Sequence, residues 1–201
     1  MRGKEVYQGI GPDVIVASPT KGGVEEALRT AALVMGFALL TALGARVRIP
    51  LTPVPITMQT FFVLLGGLLL GGNSGAAAQV LYLALGALGA PVFAGGALGS
   101  AYLFGPTGGY LVGFVTSAWL VGRLASAVDR RSPGAAWHVL GILAVGSIAI
   151  YVPGAYWLAQ VTGMGWWAAL ANGVIPFLAG DALKAVLAAS VWLRWARRSS
   201  V

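Results

Sequence analysis

Between Ile49 and Gly122 the chain carries no Asp, Glu, Lys or Arg. That span is several times the roughly 20 residues one helix needs to cross a bilayer, so several passes must lie inside it. A soluble domain of this size holds about 25% charged residues; here charged residues make up 9%, hydrophobic residues 58%, and mean hydropathy is +0.82. The sequence therefore predicts an integral membrane protein. At 201 residues it has room for about six spans and short loops, which leaves no length for a separate soluble catalytic domain.

The same composition removes several function classes. There is no cysteine and only one histidine, His138, with no carboxylate near it in sequence, so thiolate, zinc, haem and redox chemistry are not expected and no cofactor is predicted. The formal charge of +7 would suit nucleic acid, but the basic residues sit beside apolar segments rather than along a soluble face. Membrane orientation explains them better, and no nucleic-acid partner is expected. Residues 1–26 are polar and mixed and lack the basic stretch, apolar core and small-residue site of a secretory signal.

The chain reads as an all-α membrane protein, a compact bundle of six transmembrane helices with structured outer loops: a polar tail over 1–26, then one domain over 27–201. Helices are expected near 24–45, 56–70, 74–88, 107–124, 136–152 with a continuation past Pro153 to Gln160, and 167–195. Glu25 and Glu26 suit the positive end of the first helix. Arg46 to Pro55 contains three prolines and cannot be a regular helix, so it should fold across the mouth. Gly71–Gly75 is a tight turn. Gly89–Pro106 is apolar yet glycine-rich, and non-helical backbone at membrane depth is tolerated only where it is buried or lines a cavity.

With six spans both termini share one side. Arg2, Lys4, Lys21, Arg29, Arg123, Arg130, Arg131, Arg194, Arg197 and Arg198 all fall there, which the positive-inside rule makes cytoplasmic. Arg46 and Arg48 fall outside, where they would steer an anionic ligand or anchor the loop to lipid phosphate. Asp181 and Lys184 lie in the otherwise uncharged run from Gly165 to Leu193. An ionisable group at the centre of a membrane helix costs roughly 2.5–3.5 kcal/mol and survives with a partner, a water-filled cavity or a ligand. The i,i+3 spacing puts both on one face. A carboxylate acceptor beside a three-donor ammonium can grip a ligand that offers NH and carbonyl groups together. The plainer reading is a self-satisfied ion pair that packs two helices. Counted back from Arg194, the pair lies mid-membrane or in the outer half.

Four strings carry a family resemblance: Ile49-Pro-Leu-Thr-Pro-Val-Pro-Ile-Thr-Met-Gln-Thr60, Leu85-Gly-Ala-Leu-Gly-Ala-Pro-Val-Phe-Ala-Gly-Gly96, Gly105-Pro-Thr-Gly-Gly-Tyr-Leu-Val-Gly-Phe114, and Gly180-Asp-Ala-Leu-Lys-Ala185. Together they resemble BioY, the biotin-binding S component of energy-coupling factor (ECF) transporters. The resemblance implies a non-enzymatic subunit in a prokaryotic plasma membrane. It would capture biotin from outside and deliver it through a transmembrane coupling protein and two cytoplasmic ATPase subunits. Asp181 would take the ureido NH groups, while Lys184 would serve the ureido carbonyl or offset the Asp181 charge. Gly95 and Gly96 would line the pocket with backbone groups. Some relatives carry a polar side chain just after these glycines. Here Ala97 stands there, so that hydrogen bond would be either missing or replaced by Gln59 or Tyr110, unless both simply satisfy loop backbone.

The resemblance also assigns Ala27 and Ala31, a small-xxx-small face, to the coupling protein. Ala38 and Ala42 have the same spacing, and the Gly67/Gly71 and Gly109/Gly113 pairs are expected to pack inside the bundle. Rival readings are an S component for another vitamin, a small secondary transporter using Asp181 and Lys184 for proton coupling, and an intramembrane serine protease. The last rests on Gly72-Asn-Ser-Gly75 with His138, but a dyad needs hydrogen-bond reach in a buried site. No Walker sequence is present, so ATP hydrolysis is not expected of this chain.

Overall fold

The structure, a computed structural model, describes residues 23–198, with side chains through Trp195. Most of the expected tail, with Arg2, Lys4 and Lys21, lies outside the described residues, as do the side chains of Arg197 and Arg198. Helix α1 is Gly23–Gly44, with Glu25 and Glu26 in its first turn, so the last four residues assigned to the tail are helical. A two-stranded antiparallel hairpin follows, β1 Arg48–Ile49 and β2 Ile56–Thr57, with Arg48 opposite Thr57. The proline-rich stretch thus does fold over, and Val54 at its tip is buried.

Helix α2, Gln59–Ala87, is continuous in hydrogen bonding but not in direction. A straight helix would set Gln59 and Tyr82 about 35 Å apart, yet Gln59 Nε2 donates to the Tyr82 hydroxyl at 2.6 Å. The chain reverses at Gly71, whose φ of 78° and ψ of 174° suit only glycine. α2 is therefore a hairpin of two arms, 59–70 and 72–87. A Cβ on Gly75 would lie 3.1 Å from the Gly67 Cα, which is how closely the arms approach. The expected five-residue turn contracts to one glycine. Gly71 bends the chain and also packs: a Cβ on Gly122 of α4, Gly108–Ala125, would come within 2.3 Å of the Gly71 carbonyl carbon, while Gly67 packs against the Ala118 carbonyl of the same helix.

Helix α3, Ser100–Leu103, and a 3₁₀ turn at Ala94–Gly96 shape the next loop. Phe93 holds this loop down: fully buried, its ring stacks on Tyr102 at 4.8 Å, meets Tyr82 edge-on at 5.7 Å, and occupies the space a side chain on Gly86 would need. Helix α5, Ala135–Thr162, continues through Pro153. Gly109 and Gly113 of α4 lie against it there, and a Cβ on Gly113 would come within 2.8 Å of the Ile150 Cα. Both were expected to pack internally, and both do.

The last span departs from the single helix expected over 167–195. It consists of α6, Trp166–Gly173, a 3₁₀ turn at Ile175–Phe177, and α7, Leu178–Arg198. Val174 leaves helical geometry at φ −128°, ψ −56°, and Pro176 lacks the N–H that would continue the ladder. A new helix start three residues before Asp181 places that carboxylate in a first turn, where the helix dipole favours it.

The described residues make six passes: α1, the two arms of α2, α4, α5, and α6 with α7. Among the described residues, four apolar segments are long enough to cross a membrane, 23–44, 59–87, 135–162 and 166–195, and the second reverses within itself. One end of the bundle holds the β-hairpin and the 88–107 loop; the other holds the Gly71 bend and the 126–134 loop. The core has two layers. Near the bend, Leu64, Leu68, Val121, Leu143 and Trp192 pack together, and Trp192 Nε1 donates to the Leu68 carbonyl at 2.9 Å. Towards the loops, Tyr82, Phe93, Tyr110, Phe114, Ile150, Tyr151 and Phe177 form the second layer.

Candidate functional site

Asp181 and Lys184 sit in that second layer, 4% and 6% exposed. Lys184 Nζ lies 2.7 Å from Asp181 Oδ1 and also donates to the Thr57 carbonyl at 2.6 Å and to Thr60 Oγ1 at 3.1 Å, which uses all three of its protons. Thr60 in turn donates to Asp181 Oδ1 at 2.8 Å, and the Tyr151 hydroxyl donates to Oδ2 at 2.5 Å. A charge pair taken out of water is tolerable when its remaining protons and lone pairs are matched in this way. The pair joins α7 to the β2–α2 junction on one side and to α5 on the other.

A cavity of about 50 Å³ adjoins the pair, walled by Val54, Tyr102, Phe114, Ile150 and Phe177, with Thr57, Gln59, Thr60 and Tyr151 as polar groups. Small-molecule sites usually measure roughly 300–1,000 Å³. A ligand larger than a few atoms therefore does not fit this cavity until its walls move apart. Over this chamber lies a second, open one of about 360 Å³, between the β-hairpin and the 88–107 loop, lined by Arg48, the 50–53 turn, Gly105 and Pro106. Pro55, Ala94, Tyr102 and Thr107 line both.

The expected site residues fall into distinct positions. Gln59 and Tyr110 reach the inner cavity, but their polar groups have partners in the chain: Gln59 with Tyr82 and with the Thr57 hydroxyl, which donates to Gln59 Oε1 at 3.0 Å, and Tyr110 with the Gly173 carbonyl at 2.8 Å. The glycine-rich loop touches the cavity through Ala94. Gly95 and Gly96, at φ 75° and 79°, stand one step back beneath Arg48 and Arg46. Arg46 also donates to the Pro91 carbonyl, clasping the hairpin to the loop. Ala27 and Ala31 are exposed on α1 at the bend end, whereas Ala38 is fully buried, so the two equally spaced alanine pairs differ in what they can meet. Among the described residues no hydrogen bond joins Ser74 to the exposed His138.

Sequence reasoning missed Tyr151, Thr57 and Thr60. The two threonines lie within one of the four family-like strings, which was the available signal. Tyr151 had none: among the hydroxyls of α5, which also include Ser147, Tyr156 and Thr162, nothing in the sequence singles it out.

The BioY family profile matches residues 17–200. A protein of Pyrococcus horikoshii described as a probable biotin transporter BioY is 39% identical over 156 residues, which cover 78% of this chain and 89% of the relative. The biotin transporter BioY of Thermotoga maritima is 38% identical over 158 residues, 79% and 90% of the two chains. Among solved structures, the S component for biotin from an ECF-type ABC transporter superposes with a TM-score of 0.79 at 27% identity, covering 87% of this chain and 94% of its own.

Proposed function

Since the chain belongs to the BioY family, we propose that it captures biotin within the membrane as the substrate-binding subunit of an ECF transporter, and that it is not an enzyme. The observation that carries this reading is the buried Asp181–Lys184 pair at the wall of an otherwise largely apolar chamber. Biotin's ureido ring offers two NH donors and one carbonyl, complementary to a carboxylate and an ammonium, while its thioether ring suits Val54, Phe114 and Ile150. Binding is an exchange. The ureido NH groups replace donors now held by Asp181, namely Thr60 and Tyr151, and the ureido carbonyl takes an ammonium proton now given to Thr57 or Thr60. Gln59 and Tyr110 shape the chamber, with Ala94 at its roof.

The loop end faces outward and the bend end faces the cytoplasm of a prokaryotic cell. Supporting this, Arg123, Arg130, Arg131 and Arg194 gather at the bend end, where the positive-inside rule places cytoplasmic charge. The exposed Ala27/Ala31 face meets the transmembrane coupling protein, which links the chain to two ATPase subunits. Equilibrium binding of labelled biotin to the purified chain tests the central claim. Saturable binding without nucleotide is expected. No binding by folded protein, or ATP hydrolysis by the chain alone, refutes it.

A further inference from the structure

The two stacked chambers suggest a ligand held at two chemically different ends. Only the inner one contains the Asp181–Lys184 pair; the outer one has a single charged group in its wall, Arg48. Among the described residues Arg48 has no hydrogen-bond or ion-pair partner. The described carboxylates cannot supply one: Glu25, Glu26 and Asp129 lie at the bend end, and Asp181 is committed to Lys184. Among the described residues the loop end therefore carries Arg46, Arg48 and Lys184 against one carboxylate, a surplus of positive charge around an open chamber.

Gly95 gives this arrangement a built-in seat. A Cβ there would lie 2.5 Å from Arg48 Nη1, so the bare backbone is what lets the guanidinium rest over the loop and beside the chamber. Gly96 does the same for Arg46, with 3.0 Å to its Nη1.

Resting on the biotin reading above, we propose that Arg48 is the subsite for the ligand's carboxylate: the ureido ring occupies the inner chamber, the aliphatic chain passes between Pro55, Ala94, Tyr102 and Thr107, and the carboxylate ends at the guanidinium. The planar fork of arginine pairs with a carboxylate in two parallel hydrogen bonds, which a neutral amide cannot reproduce. The role of the Gly95–Gly96 pair is then to seat arginines, and discrimination between free biotin and its amide-linked forms resides at the rim.

The test compares biotin with biotinamide, which keeps the ureido ring and removes the charge, by titration of the purified full chain in phospholipid-free detergent. The wild type should prefer biotin by about tenfold or more, as a charge-assisted pair warrants. Arg48→Gln should lose that preference by weakening biotin alone, with an unchanged melting temperature. Gly95→Ala should weaken biotin in the same selective way by displacing the guanidinium. Equal weakening of both ligands, or of neither, overturns the proposal. So does an Arg48→Gln effect that appears only when anionic phospholipid is added, because the arginine then serves a headgroup phosphate. Wild-type protein that binds neither compound overturns the biotin reading itself, a result distinct from biotin binding without carboxylate discrimination.

Discussion

Replacing Lys184 with methionine keeps an unbranched, apolar stem and deletes the ammonium. Three hydrogen bonds vanish, to Asp181, Thr57 and Thr60. The larger effect falls on Asp181, buried and left with only the Thr60 and Tyr151 hydroxyls to stabilise its charge. Breaking a buried pair from one side costs about 3–5 kcal/mol, and Asp181→Asn, which strands the ammonium, should cost a similar amount. Made together, the two substitutions remove the charge imbalance, and the asparagine oxygen still accepts from a neighbouring hydroxyl, so the loss should fall to about 1–3 kcal/mol. The cycle therefore predicts a coupling of at least about 3 kcal/mol, against roughly 0.5 kcal/mol for independent sites. Reversible denaturant unfolding in detergent measures the stability side, and titration with labelled biotin the binding side. The double variant should fold better than either single one and still bind biotin poorly. Additive losses, or wild-type affinity in the double variant, would show that the pair does not grip the ligand as argued.

Tyr151→Phe removes a donor that the ureido ring would otherwise displace from Asp181 Oδ2, so it should destabilise the ligand-free chain by about 1–3 kcal/mol in denaturant unfolding and tighten rather than weaken biotin binding in the same titration. Gly113→Leu forces a side chain against the Ile150 backbone and should destabilise the fold by about 1–3 kcal/mol or more, seen as a lower melting temperature. Ala27→Trp or Ala31→Trp should abolish assembly with the coupling protein and uptake while biotin affinity in detergent stays near normal; lost binding with intact transport would place the coupling face elsewhere.

Patterns local to a few residues were readable directly. The reversal at Gly71 announced itself as a glycine-rich interruption between two apolar runs, and Asp181 with Lys184 stood out because charge is expensive in that setting. What sequence could not give was pairing across distance. Thr57, Thr60 and Tyr151 become polar partners of one carboxylate only when α2, α5 and α7 converge, and nothing in their immediate neighbours distinguishes them. The break at Val174 was hidden by the apolar character of Gly173–Phe177, where hydropathy continues although the helical ladder does not. Gly95 and Gly96 were recognisable as special backbone, but whether they face a ligand or an arginine depends on the β-hairpin folding across from another part of the chain.

The hairpin bend at Gly71 also has an electrical meaning. The first arm of α2, residues 59–70, is about 18 Å long, against about 30 Å for the hydrocarbon of a bilayer and about 42 Å for α5. Where water fills the outer chamber, the insulating layer between Thr60 and the opposite aqueous face is reduced to that shorter length, and the same membrane voltage gives a field steeper by a factor of about 1.7. The Asp181–Lys184 pair carries no net charge and feels no net force in it. An anion carried across towards a negative interior works against about 2.3 kcal/mol per 100 mV, so the voltage opposes the inward step and the energy for it must come from elsewhere.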